Sequence, residues 1–576
     1  MSAIDWQKLA QHRRAAWMIA GVILLASLAG VFTIPILDRD EARFAQATAQ
    51  MLETGDFVEI RFLDDARNKK PVGIHWLQAA SVWLTSSETA REIWAYRLPS
   101  VLGALLAALA AYFAGRRLVG REAGFAGALL LSASVLLPAE AGIAKTDAML
   151  AATAAFGFLG LAGLRTATSS REAKLFALLV WTGVGMGALI KGPITPMAVG
   201  FCILALFAWE RRLNWAKPLL WWPAILAGVA IVLPWFIAIQ IATGGAFLME
   251  ALGQDVGPKL VSGHESHDGF IGLHLVLISA LFFPAILTLP AGIRAAVTAR
   301  SEHTDLGAAV RLITAFVIPT WLVFEIMPTK LPHYTLPLYP ALAVLAGLGL
   351  TRLKHTAALW RWLGAGLAIF GASLGGPGLA IFLTQTGGAP VWLGVSVAIS
   401  FSVLALGAAI ATGLRRTGTA LALAVLSGLV GHAGVRGIVL PSAEEYWLSR
   451  DAARAALQLA GQAPDRPILS SFTEPSLVFT LGGRVTLTDP SEFAESTINS
   501  ANPTTYIIDE SRWLRSDAGP VSEADQATRR AWLERLRTQA CNTTSLEGVN
   551  YSRGDDPVQV SIFVTGCTDP QQGQTP

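Results

Sequence analysis

Ionisable side chains are scarce in this chain, and those that could do chemistry stand in a few segments between long apolar runs. The first such segment contains Asp40, Glu41 and Arg43 near its start and Lys69 and Lys70 further on. Four later segments repeat this mixture of cations, carboxylates and histidines: Lys145-Thr146-Asp147, Lys191-Gly192-Pro193, 255–268, and Lys330-Leu331-Pro332-His333-Tyr334. Charged groups at a membrane face are costly to keep there, so each segment is a candidate functional site.

Together these residue types suit one kind of reaction. Lysine ammonium groups bind an anion such as a phosphate as point charges. A carboxylate can take the proton from an acceptor hydroxyl. A pocket at the ends of apolar runs suits a substrate whose tail stays in the bilayer. The combination predicts group transfer from a lipid phosphate.

Structural explanations remain open for the same residues. Asp38 and Glu41 have the spacing of a capping box, in which Glu41 would only cap a helix. Each lysine at the end of an apolar run can simply snorkel to the lipid headgroups. His75 stands beside Trp76, where it can serve as an interfacial anchor.

The composition is that of a membrane protein. Of 576 residues, 53% are hydrophobic and only 15% are charged, whereas a soluble protein carries about 25% charged residues. The net charge of +3 is too small to indicate nucleic-acid binding. About thirteen apolar segments come close to the roughly 20 residues that cross the hydrocarbon. They are 16–36, 93–115, 123–140, 147–164, 173–190, 193–209, 219–242, 270–292, 308–326, 334–351, 358–383, 390–413 and 418–440.

The basic residues predict the orientation of these spans. One alternating set of connections is rich in them, as at Arg116, Arg117 and Arg121, whereas the short connections of the other set hold one or none. The positive-inside rule places the basic set and the N-terminus in the cytoplasm. The long loops 37–92 and 243–269 are then external, and an odd number of spans places the C-terminal tail outside as well.

Two helices are predicted to lie on the membrane surface within the first external loop. Phe44, Ala47, Thr48, Met51 and Leu52 share one helical face, which is typical of an amphipathic interfacial helix. A second short interfacial helix is expected at 73–86.

Residues 1–440 are interpreted as the transmembrane domain and 441–576 as a small soluble α/β domain. Hydrophobic periodicity in the tail predicts strands and helices. The strands are 467–472, 484–489, 504–509 and 558–565, and the helices are 443–460, 474–481, 491–500 and 523–540. Cys541 and Cys567 both lie in this tail and are a candidate disulfide in an oxidising compartment. The alternative is two unrelated thiols.

Several of these segments, in this order, resemble the motifs of a known family. Residues 38–45, followed by 51–57, resemble the first-loop motif of the GT-C membrane glycosyltransferases related to protein O-mannosyltransferases and to the lipid A aminoarabinose transferase. The further matches are Lys69-Lys70-Pro71 with His75-Trp76-Leu77, Lys145-Thr146-Asp147, Lys191-Gly192-Pro193, 263–267 and 330–337.

This resemblance implies a fold, an activity and roles for single residues. The fold would be GT-C, a multi-spanning helical bundle with periplasmic interfacial helices. The enzyme would move a sugar from a polyprenyl-phosphate donor to a lipid A-like lipid, a glycan or a protein, at the periplasmic face of the bacterial inner membrane. By this resemblance, Asp40 and Asp147 are the central acidic residues, and Lys70, Lys191 and Lys330 surround the donor phosphate. With the other ionisable residues of the same segments added, the predicted catalytic residues are Asp40, Glu41 and Asp147. The predicted donor phosphate ligands are Arg43, Lys69, Lys70, Lys191 and Lys330, and the predicted substrate contacts are His75, Glu265, His333 and Tyr334.

One departure from the family concerns a metal. The aminoarabinose transferases carry a Glu before their Lys-Pro, and that Glu is associated with a metal site, whereas this chain has Lys69. A charged lysine cannot ligate a divalent cation, so the metal is in doubt. If one binds, Asp40, Glu41 and His267 are the candidate ligands.

Two other functions fit the same architecture. A transporter or flippase for a lipid-linked sugar predicts ionisable groups near mid-span, but the main exceptions here, Glu140 and Glu325, stand near span ends. A ligase that moves a whole glycan from a lipid diphosphate would look similar, but the motif order favours transfer of a single sugar.

Overall fold

The computed structural model describes residues 5–87, 90–250, 269–460, 466–495, 498, 502–515, 521–552 and 557–567. Long apolar helices make up the first part of the chain. The helices as far as residue 250 are α1 Trp6–Gln11, α2 Ala15–Leu28, α3 Asp40–Thr54, α4 Gly73–Thr85, α5 Ile93–Leu118, α6 Arg121–Ser132, α7 Leu136–Ala141, α8 Asp147–Thr166, α9 Ser170–Lys191, α10 Ile194–Glu210, α11 Trp222–Ala242 and α12 Ala246–Glu250, with a 3-10 turn at Asn214–Leu220. A two-stranded hairpin, β1 Arg61–Phe62 and β2 Asp65–Ala66, lies between α3 and α4.

The second half of the bundle follows from residue 273. Its helices are α13 Leu273–Leu281, α14 Leu289–Ala299, α15 Asp305–Ile326, α16 Tyr339–Arg352, α17 Ala358–Ser373, α18 Leu379–Thr386, α19 Val391–Gly413 and α20 Thr417–Gly431. Short 3-10 or π-helical segments join them at Ala285–Leu287, Leu336–Leu338, Leu353–His355, Leu374–Gly378 and His432–Val439.

Nine helices in the described part of the chain are long and apolar enough to cross a membrane, judged by length and composition. They are Ile93–Leu118, Asp147–Thr166, Ser170–Lys191, Trp222–Ala242, Asp305–Ile326, Leu336–His355, Ala358–Thr386, Val391–Gly413 and Thr417–Val439. Of the four remaining predicted spans, two correspond to the shorter apolar helices α2 and α10, and two are broken, at 133–135 and 282–288. The count of thirteen therefore stays a prediction.

Small residues let the helices of the bundle approach closely where the charged segments begin. A Cβ added at Gly103 of α5 would lie 2.6 Å from the Met149 backbone nitrogen of α8, so only glycine allows this contact. In the same way, a Cβ at Gly73 would lie 2.7 Å from the Leu189 carbonyl oxygen. The start of α4 therefore packs directly on the last turn of α9.

The C-terminal part is a five-stranded mixed sheet with helices, as the apolar pattern predicted. Its elements are a 3-10 turn Glu444–Trp447, α21 Leu448–Leu459, β3 Ile468–Ser470, α22 Pro475–Thr480, β4 Thr486–Thr488, α23 Pro490–Glu495, β5 Thr504–Asp509, α24 Glu510–Trp513, α25 Glu523–Gln539, β6 Asn542–Val549 and β7 Pro557–Thr565. The strand order is β4-β3-β5-β7-β6. Strands β3, β4 and β5 are parallel, and β7 pairs antiparallel with β5 and β6.

Four strands of this sheet were predicted, and β6 was not. It is a polar edge strand that begins at Asn542 and has no apolar alternation strong enough to reveal it. The structure joins Cys541, just before β6, to Cys567, just after β7, in the predicted disulfide. The boundary predicted between residues 440 and 441 falls just after the π-helical segment and stays a prediction.

Candidate active site

A buried aspartate is the centre of the charged residues that end the spans. Asp147 is the first residue of α8, and Lys191 is the last residue of α9. Because α8 and α9 pack as an antiparallel pair, these two ends meet, and the Lys191 ammonium donates a 2.5 Å hydrogen bond to Asp147 Oδ1. A carboxylate at a helix start and an ammonium at a helix end also match the helix dipoles.

Three more side chains complete this group. Lys145 Nζ lies 2.8 Å from Glu140 Oε2 and 3.6 Å from Asp147 Oδ2. His333 places Nδ1 3.8 Å from Glu140 Oε1 and Nε2 3.6 Å from Asp147 Oδ1. We refer to Glu140, Lys145, Asp147, Lys191 and His333 as the charged cluster. Its five members come from three junctions between helices: the α7–α8 junction, the end of α9 and the connection after α15.

The surroundings set the protonation of two members of the cluster. Burial opposes charge on Lys145, but the adjacent Glu140 and Asp147 carboxylates outweigh it and raise the pKa of the ammonium. Burial lowers the pKa of His333 well below its usual range, with Asp147 opposing that shift. Near neutral pH the cluster therefore presents fixed lysine cations beside a neutral imidazole.

Asp40 is exposed at the start of α3 and lies within electrostatic range of the cluster. Its charge contributes to the raised pKa of Lys145. The residue before it, Arg39, has a φ of 42°, which is uncommon for a residue with a Cβ. Strained backbone of this kind clusters at active sites, where surrounding contacts hold it. A carboxylate that is open to solvent and within electrostatic range of a lysine is suited to proton transfer.

Glu41, in contrast, is part of the framework. Its Oε1 accepts from Arg97 Nε and from the Ala144 N–H, and its Oε2 accepts from Arg97 Nη2 and from the Leu37 N–H, all at 2.7 to 2.8 Å. Both oxygens are buried and fully occupied, which argues against the predicted catalytic and metal-binding roles. Glu41 instead ties the start of α3 to the segment that carries Lys145.

His75 does not fit its predicted contact with substrate. It is wholly buried between α3 and α4, with Nδ1 2.8 Å from Thr48 Oγ1. Burial, reinforced by the charge of Arg67, lowers the pKa of His75 to about 3, so the ring is neutral. It joins the two helices of the first loop, which is a structural role.

The remaining predicted phosphate ligands differ in their placement. Lys69 is exposed and Lys70 partly buried, just ahead of the turn where Gly73 packs on the end of α9. Lys330 is buried and donates a 2.6 Å hydrogen bond to the Met327 carbonyl. Arg43 is partly buried in the first turn of α3. Of the predicted substrate contacts, Tyr334 has its ring 6.0 Å from Lys191 Nζ. Glu265, another predicted substrate contact, and His267, a candidate metal ligand, lie outside the described residues.

A protein-family model matches part of the chain that forms this site. The family described as dolichyl-phosphate-mannose-protein mannosyltransferase matches residues 69–237. An undecaprenyl phosphate-alpha-4-amino-4-deoxy-L-arabinose arabinosyl transferase of Pseudomonas aeruginosa (strain UCBPP-PA14) is 26% identical over 380 residues. That match covers 64% of this chain and 64% of the relative, so the chain spans a little under two thirds of the relative's length.

Solved structures extend the likeness to nearly the whole chain. The crystal structure of ArnT from Cupriavidus metallidurans bound to undecaprenyl phosphate superposes with a TM-score of 0.70 at 19% identity, covering 95% of this chain and 97% of that one. The chain has the GT-C fold. The Archaeoglobus fulgidus oligosaccharyltransferase matches more distantly, with a TM-score of 0.51, 10% identity and coverage of 87% and 70%. The resemblance predicted from the motifs is confirmed, and the chain is a multi-pass membrane protein.

Within this GT-C fold, one group of three ligand-type side chains could hold a metal. Among the described residues, one ligand atom each from Glu140, Asp147 and His333 lies within 4.8 Å of the other two. However, the Lys145 and Lys191 ammonium groups already stand 2.8 Å and 2.5 Å from the two carboxylates. A divalent cation would have to displace both lysines, so the described residues do not fit a resident metal.

Sequence reasoning missed two members of the site and one framework residue of this GT-C chain. Glu140 was noted only as an ionisable residue near a span end, and Lys145 only as part of a motif. Both appear in the site because α7 stops at Ala141 and the chain turns back before α8. Arg97, which holds Glu41, stands 56 residues away along the chain, so no local pattern could pair them.

Proposed function

We propose that this chain is a glycosyltransferase that moves a sugar from a polyprenyl-phosphate donor to an acceptor at the periplasmic face of the bacterial inner membrane. The observation that carries the proposal is the charged cluster with Asp40 beside it, at the ends of membrane-crossing helices. The similar proteins, an arabinosyl transferase that uses an undecaprenyl phosphate-linked sugar and a structure bound to undecaprenyl phosphate, support the donor class. The basic connections support a cytoplasmic N-terminus.

The lysines are suited to the leaving group. In the reaction the bond between the sugar's anomeric carbon and the donor phosphate oxygen breaks, and the phosphate leaves with the electron pair. Charge builds up on that phosphate, and fixed cations stabilise it most because they need no rearrangement. Lys191 and Lys145 are held in place by Asp147 and Glu140, and Lys69 and Lys70 begin the segment that packs on the end of α9.

Asp40 is suited to the acceptor. An acceptor oxygen forms the new bond to the anomeric carbon, and a hydroxyl acceptor gives its proton to the Asp40 carboxylate. An acceptor that is itself a phosphate has no proton to lose, and Asp40 would then orient it. The acceptor is a lipid A-like lipid, a glycan or a protein.

A groove between α9 and α11 offers a place for the donor's tail. It has a volume of about 350 Å³ and purely apolar walls: Trp181, Val184, Gly185, Ala188, Gly228, Val229, Val232, Leu233 and Phe236. Val184 and Ala188 precede Lys191 on the same helical face, at spacings of seven and three residues. A polyprenyl chain in this groove would therefore bring its phosphate to Lys191.

Transfer of radiolabelled sugar from a purified polyprenyl-phosphate donor tests the proposal. The wild-type protein should label envelope lipids, glycans or exported proteins, and mass spectrometry of the product names the acceptor. Asp40→Asn keeps the size of the side chain but removes the base, and should lower transfer by about 100-fold or more, the range of general-base catalysis. Its unfolding temperature should match that of the wild type. Near-normal turnover by Asp40→Asn would refute the role of this residue.

Excess chelator tests the absence of a metal requirement. We propose that Lys69, where relatives have Glu, supplies by its ammonium the charge that a metal would bring to the leaving phosphate. Transfer should then be unchanged by chelator. Loss of activity that a divalent ion restores would contradict this, and the Glu140, Asp147 and His333 group would become the site to examine first.

A further inference from the structure

The C-terminal sheet region forms two hydrogen bonds with Asp38, two residues before Asp40. The Asp38 N–H donates a 2.8 Å hydrogen bond to the Tyr551 hydroxyl oxygen, and Asp38 Oδ1 accepts a 3.0 Å hydrogen bond from the Ser476 N–H. Tyr551 and Ser476 are more than 430 residues away in sequence. The turn that carries Asp40 is therefore fixed from outside the bundle.

The residues that form these hydrogen bonds are themselves held in place. Glu474 is buried and accepts hydrogen bonds from Asn550 Nδ2 at 2.9 Å and from Ser552 Oγ at 3.1 Å. These two residues flank Tyr551. Glu474 thus joins the start of α22, which carries Ser476, to the turn that carries Tyr551, so both partners of Asp38 are presented as one unit.

The same region contacts two further points of the first loop, Arg91 and the hairpin, and also the start of α5. Phe479 of α22 packs edge-on against Tyr96, with ring centroids 5.4 Å apart, and its carbonyl accepts from Arg91 Nη1 at 3.2 Å. Phe62 and Leu63 of the hairpin pack against the core of the C-terminal region. The junction therefore extends along the whole first loop.

Three of the six non-glycine residues with positive φ in the described part of the chain lie at these contact points. Arg39, Leu63 and Arg91 have φ values of 42°, 57° and 49°, in the left-handed region that disfavours residues with a Cβ. Each belongs to the first loop and lies at one of the three contacts with the C-terminal region. Strained residues persist where surrounding structure holds them, so the C-terminal region supplies part of that restraint.

We infer that the C-terminal region is a brace for Asp40, with Asp38 and Tyr551 as its positioning residues. The inference rests on the proposed function. Asp40 stands between two clamps: Asp38 fixes the turn to the sheet region, and Glu41 fixes the start of α3 to Arg97 and Ala144 of the bundle. The first clamp sets where the Asp40 carboxylate points relative to Lys145.

Four single variants test the brace through the kinetics of sugar transfer. Asp38→Ala removes the acceptor oxygen, and Tyr551→Phe removes the hydroxyl that receives the Asp38 N–H. Asp38→Asn keeps the acceptor oxygen and should restore transfer. Tyr446→Phe is the matched control, because it removes a hydroxyl that bonds Thr386 at the same junction and keeps the ring that packs against Tyr551.

We expect kcat to fall about tenfold in Asp38→Ala and severalfold in Tyr551→Phe, because a misplacement of about 1 Å can cost up to about 100-fold in rate. KM for the donor should stay the same, since no donor-holding lysine has changed. Asp38→Asn and Tyr446→Phe should keep the wild-type kcat, and thermal unfolding should confirm that all four are folded.

Each other outcome has a separate meaning. A wild-type kcat in both Asp38→Ala and Tyr551→Phe would overturn the brace while leaving the proposed function intact. An equal loss in Tyr446→Phe would also overturn it, because the effect would then come from general loosening of the junction. Absence of transfer by the wild-type protein, with every donor and acceptor class tried, would instead overturn the proposed function.

Discussion

Adjacent carboxylates with different partners define the site at the scale of single residues. Asp40 is exposed and lies within electrostatic range of Lys145, whereas Glu41 is buried with both oxygens on Arg97 and backbone N–H groups. The sequence identified the pair as important but could not separate the two roles. The partner that decides the role of Glu41 comes from α5, and that contact exists only after the bundle has packed.

Glu41→Gln and Arg97→Met should therefore destabilise the folded protein and not only slow the reaction. Breaking a buried ion pair by removing one partner costs about 3 to 5 kcal/mol, because the other charge is left uncompensated. Both variants should lower the unfolding temperature in detergent or reduce the yield of folded protein. Asp40→Asn is the comparison, since it is expected to unfold like the wild type. Fully stable Glu41→Gln would contradict the framework role.

At the scale of secondary-structure elements, the ends of helices bring the charged cluster together. The spacing of apolar runs correctly indicated the helices now seen at Asp40–Thr54 and Gly73–Thr85. It did not indicate that α3 lies under α22, because the amphipathic pattern of Phe44 and Met51 looks the same against lipid as against protein. Ala42 and Ala49, on the opposite side of α3, are also fully buried, so this helix is enclosed by the fold rather than only resting on the membrane.

Filling the α9 groove should weaken donor binding selectively. Ala188→Phe places a ring in the groove one turn before Lys191, where the polyprenyl chain would lie. KM for a long-chain donor should rise about tenfold, which corresponds to about 1.4 kcal/mol of lost binding. A water-soluble short-chain donor does not need the groove and should be affected much less. Leu204→Phe, at an exposed apolar position on α10, is the matched control. Equal effects on both donors would exclude the groove as the tail site.

At the scale of the whole molecule, the helical bundle and the C-terminal α/β region differ in composition but form one functional unit. Hydropathy predicted a helical bundle followed by an α/β region, and the structure has the helices and a C-terminal sheet. The region with ordinary globular composition contributes no side chain to the charged cluster among the described residues, yet it holds the turn that carries Asp40. Composition cannot reveal such a role, because the contact depends on one hydroxyl and one backbone N–H that bond to a turn of the first loop.

The stoichiometry of products from the purified protein tests the central claim most directly. A sugar transferase that uses a polyprenyl-phosphate donor should release one polyprenyl monophosphate for each sugar attached to acceptor. Both products should disappear together in Asp40→Asn and in Lys191→Met. Movement of intact donor across the bilayer without bond cleavage, or release of a polyprenyl diphosphate, would contradict the account and favour a flippase or a glycan ligase respectively.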